Sequence, residues 1–71
     1  NMKKVEQQII NQAIEQRKQA GMSQMEVSIK LGITYNVMYL FEAGKKQVTI
    51  DFISKLNEVF GWEFDVKISN N

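Results

Sequence analysis

At 71 residues and a formal net charge of +1, the chain is one small domain, near the size where a single core leaves only a thin margin of stability. It contains no cysteine and no histidine, which excludes disulfides, the common zinc sites and thiol or imidazole catalysis. A composition of 44% hydrophobic and 24% charged residues is that of a globular chain, and no apolar run approaches the roughly 18 residues of a membrane span.

Association with another chain is then the remaining way to reinforce so small a core. No glycine-rich phosphate loop occurs. Acid–base or nucleophilic work would fall to eight scattered carboxylates, lysines and hydroxyls. The sequence therefore reads as a non-enzyme with no metal or cofactor. Absence of cysteine fits a reducing, cytoplasmic setting, and no signal peptide or membrane anchor is expected. Asn1, ahead of Met2, reads as the remnant of an expression tag.

The first helix is expected from about Lys4 to Ala20. Ile10, Ala13, Ile14 and Arg17 fall at 3.6-residue spacing on one face, and Val5 and Ile9 continue it upstream. Gly21 stops it. In "MSQMEV", Ser23 can cap a second helix while Glu26 reaches back to complete a capping box, with Met22 and Val27 at the staple positions. Val27, Ile29 and Leu31 supply its apolar residues, Ser28 keeps one contact point small, and Gly32 ends it.

"GITYNVMYLFEAG" opens a third helix with Thr34 as its expected N-cap. Met38 and Phe41 should face inward with Ile33. Tyr35, Asn36, Val37, Tyr39 and Leu40 must then point elsewhere. Thr49 caps a fourth helix, Asp51 lies in its first turn, and Phe52, Ile53, Leu56, Val59 and Phe60 form its core stripe. Two short helices joined by a tight glycine-containing turn, the middle pair, form a helix-turn-helix unit.

From Trp62 the pattern changes. Trp62, Phe64, Val66 and Ile68 alternate with Glu63, Asp65, Lys67 and Ser69, the period of a half-buried strand. The fold class is thus mainly α: four short helices and one C-terminal strand. Residues 2–61 form the helical part, and residues 62–69 form a strand of the same domain.

The stretch "RKQAGMSQMEVSIKLGITYNVMYLFEAGKKQVTIDFISKLNEVFG", Arg17 through Gly61, resembles the phage-repressor/Cro-type helix-turn-helix family. Arg17 four residues before Gly21, the "GMSQ" entry, the small Ser28, "LGIT" at the turn, "FEAGK" and a Thr-capped fourth helix carry the resemblance together. It implies a bundle of packed helices that binds double-stranded DNA as a dimer, with the third helix in the major groove. By position, Gln24, Thr34, Lys45 and Lys46 would contact phosphates. Tyr35, Asn36, Val37 and Leu40 would face base edges with Tyr39 beside them. Arg17 and Glu42 match a structural ion pair. Each has a plainer rival: Gln24 as an ordinary first-turn residue, Asn36 as an exposed polar group, and the two lysines as solvated loop charges.

The third helix departs from the pattern in carrying no arginine, lysine or glutamine among its outward positions. The commonest specific contact, arginine to guanine, cannot come from it. Asparagine can bond N6 and N7 of adenine, and valine and leucine can touch thymine methyls, so an A·T-leaning site is expected. The same residues support another reading, a protein-binding patch of two tyrosines, a valine and a leucine.

Within a chain of helices the strand has no mate, so its mate is expected to be a second copy, paired antiparallel about a two-fold axis. Trp62, Phe64, Val66 and Ile68 would form this homodimer contact. A strand folded back on its own helices, or an extended tail, is the alternative. With Val66 on the axis, Asp65 faces Lys67 twice. The neighbouring registers confront like charges, and opposed pairs contribute roughly 0.2–1 kcal/mol each. Some small members of the resembled family, antitoxin-like regulators that bind DNA and a toxin partner, carry such a strand.

Overall fold

The computed structural model describes residues 2–68 and the side chains of residues 4–68. Four helices are present among them: α1 (Met2–Gln19), α2 (Gln24–Leu31), α3 (Val37–Glu42) and α4 (Ile50–Phe60). No helix among the described residues is long and apolar enough to cross a membrane.

Helix α1 presents Ile9, Ile10 and Ala13 to the core, with Val5 and Ile14 partly covered beside them. These positions repeat every three or four residues, so one stripe is buried while lysines and glutamates remain in water. The stripe meets α3, and α2 packs on both α3 and α4. Val27, Leu31, Met38, Phe41, Phe52 and Leu56 close the interior. The rings of Phe41 and Phe52 meet at 4.9 Å and 54°, a tilted arrangement that aromatic quadrupoles favour.

Local chemistry sets most helix ends. The Ser23 hydroxyl accepts the Glu26 amide at 3.0 Å, and the Glu26 carboxylate accepts the Ser23 amide at 2.8 Å. Both orphan donors are thereby satisfied. Thr49 accepts the Phe52 amide at 3.1 Å to start α4. Gly32 ends α2 at φ +71°: its amide donates to the Ile29 carbonyl, and that of Ile33 donates to Ser28, both at 3.0 Å. This pair of reversed bonds turns the chain sharply toward α3, at a φ that side chains with a Cβ resist.

Three expectations fail. Helix α3 starts at Val37 rather than after Thr34. The Thr34 carbonyl accepts the Val37 amide at 3.0 Å, so a backbone turn through Tyr35 and Asn36 takes the place of a hydroxyl cap. Asn36 holds the cap position without a side-chain bond to the helix. Val59, expected in the α4 core stripe, is exposed, while Trp62 from beyond the helix is buried in that core.

The third failure is the C-terminal strand. Residues 61–68 form no β-strand, and Ser69 lies outside the described residues. Trp62 is only 6% exposed, buried in its own chain's core, with Phe64 and Val66 packed partly against it and Ile68 left outside. The indole stacks on Phe60 at 4.6 Å, and Asn57 donates to the Trp62 carbonyl at 2.9 Å.

Beyond Trp62 the backbone is paired with side chains instead of another strand. The Gln16 carboxamide donates to the Glu63 carbonyl at 3.0 Å and accepts the Glu63 amide at 3.2 Å. Gln12 does the same for Asp65 at 2.6 and 2.7 Å. Gln8 repeats it for Lys67, with both bonds at 2.7 Å. A primary amide offers the same donor and acceptor as a peptide unit. The spacing also matches: four helical residues advance about 6 Å, and two extended residues advance about 6.6 Å. A column of glutamines on α1 therefore serves as one edge of a strand partner.

Candidate nucleic-acid interface

The middle helices are locked to α1 by a polar junction. Arg17 donates from Nε to Oε2 of Glu42 at 2.6 Å and from Nη2 to Oε1 at 3.0 Å. Its third nitrogen, Nη1, donates to the Met22 carbonyl at 2.8 Å. Gln24 Nε2 adds a bond to Glu42 Oε1 at 2.8 Å. The two charged side chains are 13% and 7% exposed. The planar guanidinium fork suits this two-point grip, and its remaining nitrogen donates to backbone. The junction thus ties the end of α1, the start of α2 and the end of α3 into one unit.

A second contact sets the path between α2 and α3. Ser28 is fully buried, and its hydroxyl donates to the Tyr35 carbonyl at 3.1 Å. A larger residue would push the helices apart, while alanine would leave that carbonyl without this donor. The sequence marks Ser28 only as small. Its bond across seven residues depends on the turn closing back over α2.

Around this frame the candidate contact residues differ in exposure. Tyr35 and Tyr39 stand 65% and 53% exposed, with Asn36 also exposed between them in sequence. Leu40 is half-buried. Val37 packs partly against the core, so less of it faces outward than its neighbours. Thr34 and Lys45 are exposed. Lys46 lies with its ammonium 5.6 Å from the Phe52 ring centre, within cation–π range, which holds that lysine close to the α4 start. Gln24 has one amide hydrogen committed to Glu42, and its second hydrogen stays available.

Near the start of α2, the Ser23 amide, which donates to the Glu26 carboxylate, holds its pKa below the ordinary value, with the neighbouring Ser23 hydroxyl and Lys30 acting in the same direction. The carboxylate is therefore occupied by capping. No family model matches the chain, and comparison with curated proteins and with solved structures finds no match.

The glutamine column is the feature that sequence reasoning missed. Its signal is legible in hindsight: Gln8, Gln12 and Gln16 stand at four-residue intervals on one helix face. Opposite them runs a tail whose alternate residues recur at nearly the same distance.

Proposed function

We propose that this chain is a DNA-binding transcriptional regulator of the phage-repressor/Cro type, acting as a homodimer on a palindromic site. The observation that carries the reading is Asn36, exposed between Tyr35 and Tyr39 at the start of the second helix of a tight helix-turn-helix pair. Asn36 reads adenine, while Tyr35, Val37, Tyr39 and Leu40 contribute thymine-methyl and edge contacts. Gln24, Thr34, Lys45 and Lys46 flank this group and serve the phosphates, which position the protein without specifying sequence. The Arg17–Glu42 junction keeps the reading helix at a fixed attitude to the rest of the domain.

Homodimerisation runs through the C-terminal segment of Trp62, Phe64, Val66 and Ile68. It places two reading helices about 34–36 Å apart, one turn of DNA. Selection from a randomised duplex pool, with a salt series on the winning sequence, tests the proposal. A palindromic, A·T-leaning site whose affinity falls steeply with salt is the expected result. Absence of binding to any duplex at low salt defeats it.

One observation favours a second reading. The exposed side of α3 and the turn before it carry Tyr35 and Tyr39 and no basic residue, a composition suited to a protein anchor. In that case the domain is an adaptor or antitoxin whose tyrosine face holds a protein partner, such as a toxin, and salt weakens its binding only slightly.

A further inference from the structure

The tail is paired along one edge only. In an extended chain the amide and carbonyl of successive residues point to opposite sides. Glu63, Asp65 and Lys67 direct theirs to the glutamines of α1. On the other side, the Trp62 carbonyl already accepts from Asn57. The backbone groups of Phe64 and Val66 have no hydrogen bond among the described residues. An open edge therefore spans residues 64 to 68. Such an edge readily takes another strand.

We infer that Gln8, Gln12 and Gln16 act as a built-in strand edge that leaves only the Phe64–Val66–Ile68 edge free, and that a second copy of the same edge pairs with it, Val66 opposite Val66. This rests on the tail-to-tail dimer proposed above and specifies which backbone groups make it. Registers centred on Phe64, Asp65, Val66 or Lys67 all keep apolar residues opposite apolar ones. Centring on Phe64 pairs Trp62 with Val66, and centring on Asp65 pairs Trp62 with Ile68. Both require the Trp62 carbonyl, which Asn57 occupies. The Asp65-centred form also brings two carboxylates face to face.

The Lys67-centred form sets two lysines face to face, so only the Val66-centred register uses the open groups without opposing like charges. Val66 bonds reciprocally with its copy, and Phe64 with Ile68. Asp65 then stands opposite Lys67 on both sides of the axis, a favourable charge match. The same register covers an unprotected side chain. Ile68 is 73% exposed in the single chain, and it would lie beside Phe64 of the other copy. There, Ile53, Asn57, Trp62 and Phe64 line an open groove between α4 and the tail.

Because the chain lacks cysteine, single Val66→Cys and Asp65→Cys variants report the register directly under mild air oxidation. Facing positions lie within disulfide reach, whereas Asp65 and its copy would be diagonal neighbours roughly 7–8 Å apart and beyond it. The expected result is a dimer by sedimentation in both variants, with a disulfide in Val66→Cys and none in Asp65→Cys. A disulfide in Asp65→Cys alone overturns the register and leaves the tail-to-tail dimer standing. A dimer with neither disulfide likewise overturns the Val66-centred register, and a monomer at every concentration overturns the tail-to-tail dimer itself.

Amide exchange tests the glutamine edge separately. Asp65 and Lys67 amides should be protected at all protein concentrations, and those of Phe64, Val66 and Ile68 only where the dimer forms. Gln12→Ala should then abolish protection at Asp65 while dimer-dependent protection at Val66 persists. Protection at Asp65 that is unchanged by Gln12→Ala overturns the glutamine role.

Discussion

Two polar contacts hang on α1, and they end differently. At the Arg17–Glu42 junction the guanidinium nitrogens bond the carboxylate and a backbone carbonyl, and Gln24 adds a further donor to Glu42. Along Gln8, Gln12 and Gln16, neutral amides bind one side of a backbone and leave the other side free. In the first contact all three guanidinium nitrogens and both carboxylate oxygens are engaged and the side chains are largely buried, so it fixes geometry. The second is exposed and half-satisfied. A fully bonded group is a brace, whereas a strand bonded along one edge is a brace and a docking edge together. Charge suits the first role because a desolvated ion pair is costly to separate. Amides suit the second because they copy the backbone's own donor and acceptor without adding charge.

The contrast can be broken by mutation. Glu42→Ala should have the largest effect, lowering stability by roughly 3–5 kcal/mol in urea unfolding because Arg17 is left unpaired. Replacing both partners with apolar residues of similar size should recover much of that loss. The triple change Gln8→Ala, Gln12→Ala, Gln16→Ala should cost less, about 2–3 kcal/mol at a net worth near 1 kcal/mol per glutamine. Its loss should appear first as exchange at Glu63, Asp65 and Lys67, with α2 and α3 intact. If the two sets of variants unfold the same elements with equal cost, the distinction between brace and edge is lost.

Asn36→Ala should leave stability unchanged, since Asn36 makes no capping bond. On the selected duplex it should cost about 1–3 kcal/mol and relax preference at one base position. Ser23→Ala should cost about 1 kcal/mol through the α2 cap. The smallest effect is a pH dependence. Glu26 has a lowered pKa in the folded chain, so its contribution is complete above the ordinary carboxylate value and is lost as pH falls through the folded value. Melting temperatures of the native chain and Glu26→Gln should therefore converge in acid and separate toward neutrality.

How legible each feature is in the sequence follows from its range. The capping box at Ser23 and Glu26 spans three residues, as does the Thr49 cap, and both are determined by neighbours the sequence places side by side. The inward face of α1 follows from periodicity in the same way, whereas in α2 Ile29, counted among the apolar residues, is 64% exposed. Thr34 misleads because a second local solution, the backbone turn to Val37, competes with its hydroxyl. Of the candidate contact residues, the sequence brings Tyr35, Asn36 and Tyr39 to the surface by elimination from the core pattern. It gives no sign that Val37 would be drawn inward or that Gln24 would bond Glu42.

The sequence by itself determined four helices, their stops and the two-residue rhythm of the tail, because these depend on contacts between near neighbours and on which residues avoid water. Only the tertiary structure decided what the tail lies against. Its bonds join residues 47 to 59 positions apart, and alternation is satisfied equally by a strand, a groove or a column of amides. Choosing among these required the α1 glutamines to be carried to the tail at matching spacing. That placement is set by how Trp62 and the helix cores pack.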